Sequence, residues 1–149
     1  MSVLEPEQVF KFEKTYLKDV SFESPGTPEI FANPGTQEVS VECSINHRPL
    51  HEPFYEVVLT VNVNARKGDD TNFAVEVQQG GIFQIAGGSD ENLPRVLEIV
   101  CPDILMAFAR VAVCDLVIRG GFPQLLIDPV NFEALYEEKQ TLLAQQSKS

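Results

Sequence analysis

The chain has 149 residues, 44% hydrophobic and 22% charged, which fits one globular domain spanning residues 1–149 and excludes a disordered chain. With 11 basic and 22 acidic residues the net charge is −11, which would repel nucleic acid and anionic lipid and favours basic partners. The three cysteines, Cys43, Cys101 and Cys114, show no CxxC spacing, so they predict no disulfide framework and fit a reducing compartment. Residues 1–10 hold Glu5, Pro6 and Glu7, with neither a basic start nor an apolar run, unlike a signal peptide. The apolar stretch 104–118 is too short to span a bilayer and contains Arg110 and Asp115. These features predict a cytoplasmic protein with no direct membrane insertion.

Period-two alternation over residues 10–23 sets Phe10, Phe12, Tyr16, Val20 and Phe22 against Glu13, Asp19 and Glu23, the pattern of a half-buried strand. Lys14 and Lys18 break the apolar row, which points to a bulge or an exposed edge. Three prolines and two glycines within residues 24–35 predict a long loop. A second strand follows with Val39, Val41, Cys43 and Ile45 on one face, and residues 47–53 form another loop. Val57, Leu59, Val61 and Val63 mark a third strand, and a Lys-Gly-Asp turn within 66–70 closes a hairpin. The fourth strand covers residues 72–79, with Phe73, Val75 and Val77 on one face and Glu76 on the other.

Paired glycines at 80–81 and 87–88 then predict a mobile connector that carries Ile82, Phe83 and Ile85. Ser89, Asp90 and Asn92 are candidate helix caps, Pro94 suits an early helical position, and Pro102 interrupts or restarts the helix. Between Asp103 and Arg119 the apolar residues cover nearly the whole circumference at about 100° per residue, so this helix is buried on both sides. Residues 122–129 form a proline-bounded connector, 130–145 a second amphipathic helix with Phe132, Leu135, Leu142 and Leu143, and the ends, about 1–8 and 146–149, are flexible. The expected architecture is α+β, four antiparallel strands followed by two helices. One sheet cannot cover both sides of the long helix, so further copies of the chain are the simplest cover.

Catalytic chemistry finds no support. His47 and His51 stand four apart, but Pro49 between them breaks any helix that would align them as metal ligands, so no metal site is expected. The segment 80–88 lacks the Gly-Lys-Ser/Thr ending of a phosphate loop, and no Gly-x-Ser-x-Gly elbow occurs. The expectation is a protein with no enzyme activity and no cofactor. What stands out is an apolar set (Ile82, Phe83, Ile85) that either staples the connector onto the core or offers an adjustable surface for a ligand or an unfolded chain, and an acidic sheet face with Asp19, Glu23 and either Glu76 or its neighbours.

Several uncommon strings occur in order: Val-Ser-Phe-Glu-Ser-Pro at 20–25, Tyr-Glu-Val-Val-Leu at 55–59 and Glu-Val-Gln-Gln-Gly-Gly-Ile-Phe at 76–83. Cys-Pro-Asp-Ile-Leu at 101–105, Gly-Phe-Pro-Gln-Leu at 121–125 and Asp-Pro-Val-Asn-Phe at 128–132 complete the set. From about Phe10 to Tyr136 the chain resembles SecB, the bacterial protein-export chaperone family. The resemblance implies a sheet with a crossover between its first two strands, and a homotetramer built as a dimer of dimers through the long helix. The matching interface positions are Leu105, Phe108, Ala109, Ala112 and Leu116. It further implies ATP-independent binding of unfolded preproteins in apolar grooves, here with Phe31, Phe54, Ile82, Phe83 and Ile85. Delivery to SecA at the translocon would follow, with the zinc-bearing C-terminal tail of SecA docking on Asp19, Glu23 and Glu76, so that the zinc belongs to the partner. Pro34 and Gly35 stand where the family commonly has a tryptophan. The alternatives are a SecB-like chaperone serving a toxin–antitoxin pair, and a small-ligand carrier or enzyme using the same groove.

Overall fold

The computed structural model describes residues 3–33 and 35–147. In chain order it contains β1 (Val9–Glu23), a 3-10 turn (Glu29–Ala32), β2 (Glu38–Pro49), β3 (Phe54–Lys67) and β4 (Asp70–Ala86). Helix α1 (Leu93–Arg95), a π turn (Val96–Val100), α2 (Cys101–Arg119) and α3 (Phe132–Ser147) follow. The strands form one antiparallel sheet in the order β1-β4-β3-β2, so the chain crosses from one sheet edge to the other between β1 and β2.

Alternation along the strands decides the two faces. Val57, Leu59, Val61 and Val63 of β3 lie level with Gly81, Gln79, Val77 and Val75 of β4. All four β3 side chains are fully buried, with Leu105, Ala109, Val113 and Val117 of α2 against the same core. The four-residue spacing of that α2 set is the periodicity of one helix face. The reverse face of the sheet carries Asn62, Asn64, Glu76 and Gln78 and is uncovered apart from its own side chains.

β1 slips against β4 twice, between Phe12 and Lys14 and between Leu17 and Asp19, so the two lysines that break the sequence alternation sit at bulges. Each slip reverses which side chains face the helix. Phe12 therefore stacks on Phe83 at 5.1 Å and Phe22 on Phe73 at 6.1 Å, on the core side, while Tyr16 and Lys18 between them reach Glu56 on the open face.

The expected mobile connector at 80–88 is corrected: β4 continues through both glycines to Ala86. Paired glycine reads as chain punctuation, but here it answers crowding on both faces. A Cβ on Gly80 would lie 2.4 Å from the Tyr16 ring, and one on Gly81 would lie 2.7 Å from Leu105 Cδ2. The turn comes at Gly87 and Gly88, with φ of +74° and +76°.

Ser89 and Asn92 form no side-chain cap; they anchor the N-terminal segment instead. The Ser89 hydroxyl donates to Glu5 Oε1 at 2.8 Å, and Asn92 Nδ2 donates to the Val3 carbonyl at 2.8 Å. Pro94 does occupy the first helical turn. Pro102 restarts the helix: it sits in the first turn of α2, directly after the π turn, where a residue without an N–H is tolerated. α3 starts at Phe132, where Asn131 Oδ1 accepts the Ala134 N–H at 2.9 Å. Only Phe132 of α3 is buried; Leu142 and Leu143 are exposed. Arg95 ties the helix to the core through Glu133 and Glu137, and Lys139 does so through Glu98. Of the end segments expected to be flexible, Met1, Ser2, Lys148 and Ser149 lie outside the described residues, as does Pro34 of the crossover loop.

Candidate functional site

The acidic cluster read from alternation is assembled on the open sheet face. Asp19 lies level with Gln78, Ser21 with Glu76, and Glu23 with Ala74. Glu76 in turn pairs with Asn62, and Asn62 with Glu42 of β2, so Glu42 joins the set. Glu42 was legible as the polar position between Val41 and Cys43, but its proximity to Glu76 depends on strand order. A shallow depression of about 220 Å³ lies among Ser21, Glu23, Asn62, Asn64, Ala74 and Glu76. Among the described residues none of these four carboxylates is in an ion pair, although the same face carries cations.

Those cations are held elsewhere. Glu56 of β3, almost fully buried, accepts hydrogen bonds from Tyr16 Oη at 2.6 Å, Lys18 Nζ at 3.0 Å and Arg48 Nε at 2.9 Å. Burial by itself would raise the Glu56 pKa, but the bonds from Tyr16, Lys18 and Arg48 outweigh it and hold the carboxyl down at about 2. Burial, followed by the bond to the Glu56 carboxylate, pushes the Tyr16 phenol up to about 12. Four-stranded reach depends on Gly80, over which the Tyr16 ring crosses β4. Sequence reading missed Glu56, whose position in an apolar strand signals only that its charge needs partners.

An open apolar cleft lies away from the residues the sequence singled out. Val39, Val41 and Cys43 of β2 face Leu125, Leu126, Ile127, Pro129 and Val130, with Leu135 of α3, around a cleft of about 780 Å³. Leu126 is 75% exposed, and β2 has no strand on its outer side. None of the five expected groove residues lines this cleft. Phe83 and Ile85 are core side chains, so the expectation of an adjustable surface there is corrected; Ile82 lies on the other face, half-buried beside Glu56. Phe31 is 47% exposed and packs on Phe122 at 5.5 Å, in the aromatic cluster with Phe73. Phe54 pairs with Gln84 near the opposite end of β4, roughly 35 Å from Phe73 at about 3.3 Å per strand residue.

The proposed subunit-contact set also divides. Leu105 and Ala109 are fully buried against their own sheet and are not available to a second chain, a correction that follows from the side of α2 they occupy. Phe108 is exposed, and Ala112 and Leu116 are partly so. The uncovered stripe also includes Val111, 69% exposed, and Ile118. Among the described residues no three His, Cys, Asp or Glu side chains gather as a metal site. The Cys101 and Cys43 thiols are both pushed up by burial, which disfavours the reactive thiolate.

The family model "Preprotein translocase subunit SecB" matches residues 4–142. The chain belongs to the SecB family. It is 48% identical over 133 residues to the protein-export protein SecB of Halorhodospira halophila, covering 89% of this chain and 77% of that one. The protein of the same name from Acidithiobacillus ferrooxidans is 46% identical over 141 residues, 92% of this chain and 93% of the other. Among solved structures, the SecB-like chaperone of Mycobacterium tuberculosis in complex with a peptide from the HigA1 antitoxin superposes with a TM-score of 0.64 at 14% identity. The match covers 82% of this chain and 91% of that one, and it shows the shared fold. No helix among the described residues is long and apolar enough to cross a membrane.

Proposed function

We propose that the chain is an ATP-independent export chaperone of the cytosol, without enzyme activity, which holds unfolded preproteins and hands them to SecA. The observation that carries this reading is the open apolar groove between β2 and residues 125–130. Its walls are mostly apolar side chains open to solvent, a surface that can take apolar segments of an unfolded chain without sequence selection. The outer edge of β2 offers backbone groups to the same occupant. The acidic open face gives a second, separate surface for the basic zinc-bearing tail of SecA, with Asp19, Glu23 and Glu76 as the docking carboxylates. Homotetramer formation would cover the Phe108, Val111 and Ile118 stripe of α2.

The reading in which the chain serves a toxin–antitoxin pair has a fold likeness at 14% identity behind it, against about 45% and more to proteins named for export. The test is binding of a fluorescently labelled, reduced and unfolded preprotein. Val41→Ser with Leu126→Ser should weaken it by about tenfold, as each partly buried side chain contributes on the order of 1 kcal/mol. The secondary structure and the oligomer should be unchanged. Unaltered binding in that variant would refute the groove assignment.

A further inference from the structure

At the second β1 bulge Lys18 and Asp19 both project to the open face: Lys18 reaches Glu56, and Asp19 lies level with Gln78. In regular strand geometry neighbouring residues alternate, so such a pair would be separated by the sheet. Here a lysine and the first carboxylate of the docking cluster leave adjacent residues on the same face. Left free, Lys18 would turn to Asp19 and present a neutral pair to a cationic partner. It does not, because both oxygens of Glu56 hold it, at 3.0 and 3.1 Å. The Glu56 side chain is 8% exposed, whereas Lys18 is 44% exposed, so the buried member fixes the pair. Tyr16 and Arg48 hold the carboxylate from β1 and β2.

We infer that Glu56 is a positioning residue for the docking face: by sequestering Lys18 it keeps the carboxylates of Asp19, Glu23 and Glu76 free for a basic partner. This rests on the docking reading above. Glu56 does not touch the partner; it acts through Lys18. A role confined to fold stability would leave the partner's affinity insensitive to the charge at position 18.

The test is fluorescence anisotropy with a synthetic, zinc-loaded SecA C-terminal tail peptide at about 0.1 M salt, where exposed charges still interact. Glu56→Gln should bind the peptide about three- to fivefold more weakly, the scale of one exposed ion pair. Glu56→Gln with Lys18→Met should return to within about twofold of the original affinity. Lys18→Met alone, with Glu56 intact, should also stay within about twofold, because that lysine is already neutralised. If Glu56→Gln does not fold, Glu56→Asp takes its place. The shorter side chain draws the carboxylate away from Lys18 and should weaken peptide binding, with Lys18→Met restoring it. Unchanged affinity in Glu56→Asp would overturn the inference. Unchanged affinity in Glu56→Gln, no rescue in the double variant, or a gain of fivefold or more in Lys18→Met alone would each overturn the inference. Glu76→Lys serves as the control. If it abolishes binding while Glu56→Gln does not weaken it, the docking face stands and the role of Glu56 falls. If Glu76→Lys binds normally, the docking face falls and the inference with it.

Discussion

Replacing Phe83 by Ala separates a core strand from a mobile connector more sharply than any other change in the 80–88 segment. The ring is fully buried, stacked on Phe12 at 5.1 Å and tilted against Phe10 at 5.7 Å. Truncation removes the transfer energy of the ring and leaves a cavity that the two neighbouring aromatics close only in part. Buried Phe→Ala changes of this kind cost about 3–5 kcal/mol. For a chain of this length 1 kcal/mol corresponds to about 2–4 °C, so the melting temperature should fall by about 6–20 °C. The adjacent Ile82 is half-buried on the opposite face, and Ile82→Ala should cost less than about 1.5 kcal/mol. Thermal melts followed by circular dichroism, at fixed protomer concentration because assembly contributes to stability, give both values. A Phe83→Ala melt within 2 °C of the unmodified protein, or a larger loss at position 82 than at 83, would refute the strand and its facing.

Val111→Asp places a charge on the exposed apolar stripe of α2, away from the sheet. It should lower the oligomeric state measured by light scattering while the circular dichroism spectrum is kept, because the charge would be stranded at a subunit contact. The clasp on Glu56 has a pH signature. Its folded pKa, about 2, lies below the ordinary 4.5, so its contribution is complete above about pH 4.5 and is lost as the pH falls toward 2. Urea melts should show the stability gap between the unmodified protein and Glu56→Gln narrowing across that window. Tyr16, with its pKa raised to about 12, should be the last tyrosine to show phenolate absorbance on alkaline titration, and Glu56→Gln should bring it earlier.

How far the sequence reaches can be judged strand by strand. The strands and the acidic face follow from period-two alternation, and the two bulges of β1 leave a trace as lysines in an aromatic row; the crossover is implied only by the family resemblance. The extension of β4 is not, because Gly80 and Gly81 look like a break until Tyr16 is seen crossing one face and Leu105 pressing on the other. The groove is invisible for a related reason. Val39, Val41 and Cys43 have the pattern of a core-facing strand, and only the sheet order makes β2 an edge whose apolar side meets a proline-bounded segment more than 80 residues later. The same holds for α2: an all-round apolar helix reveals that two partners exist, but not that Leu105 and Ala109 belong to the sheet and Val111 to whatever covers the other side. Local periodicity reports the presence of faces; tertiary contacts assign them.

The central claim is that two surfaces of one chain take two different partners, an unfolded preprotein in the β2 groove and a basic tail on the open sheet face. Site-specific photo-cross-linking tests it directly, with a photoreactive residue at Leu126 in one variant and at Gln78 in another. The account predicts that the Leu126 probe captures an unfolded preprotein and not the zinc-loaded SecA tail peptide, while the Gln78 probe captures the peptide and not the preprotein. Preprotein captured from Gln78 with none captured from Leu126 would contradict it.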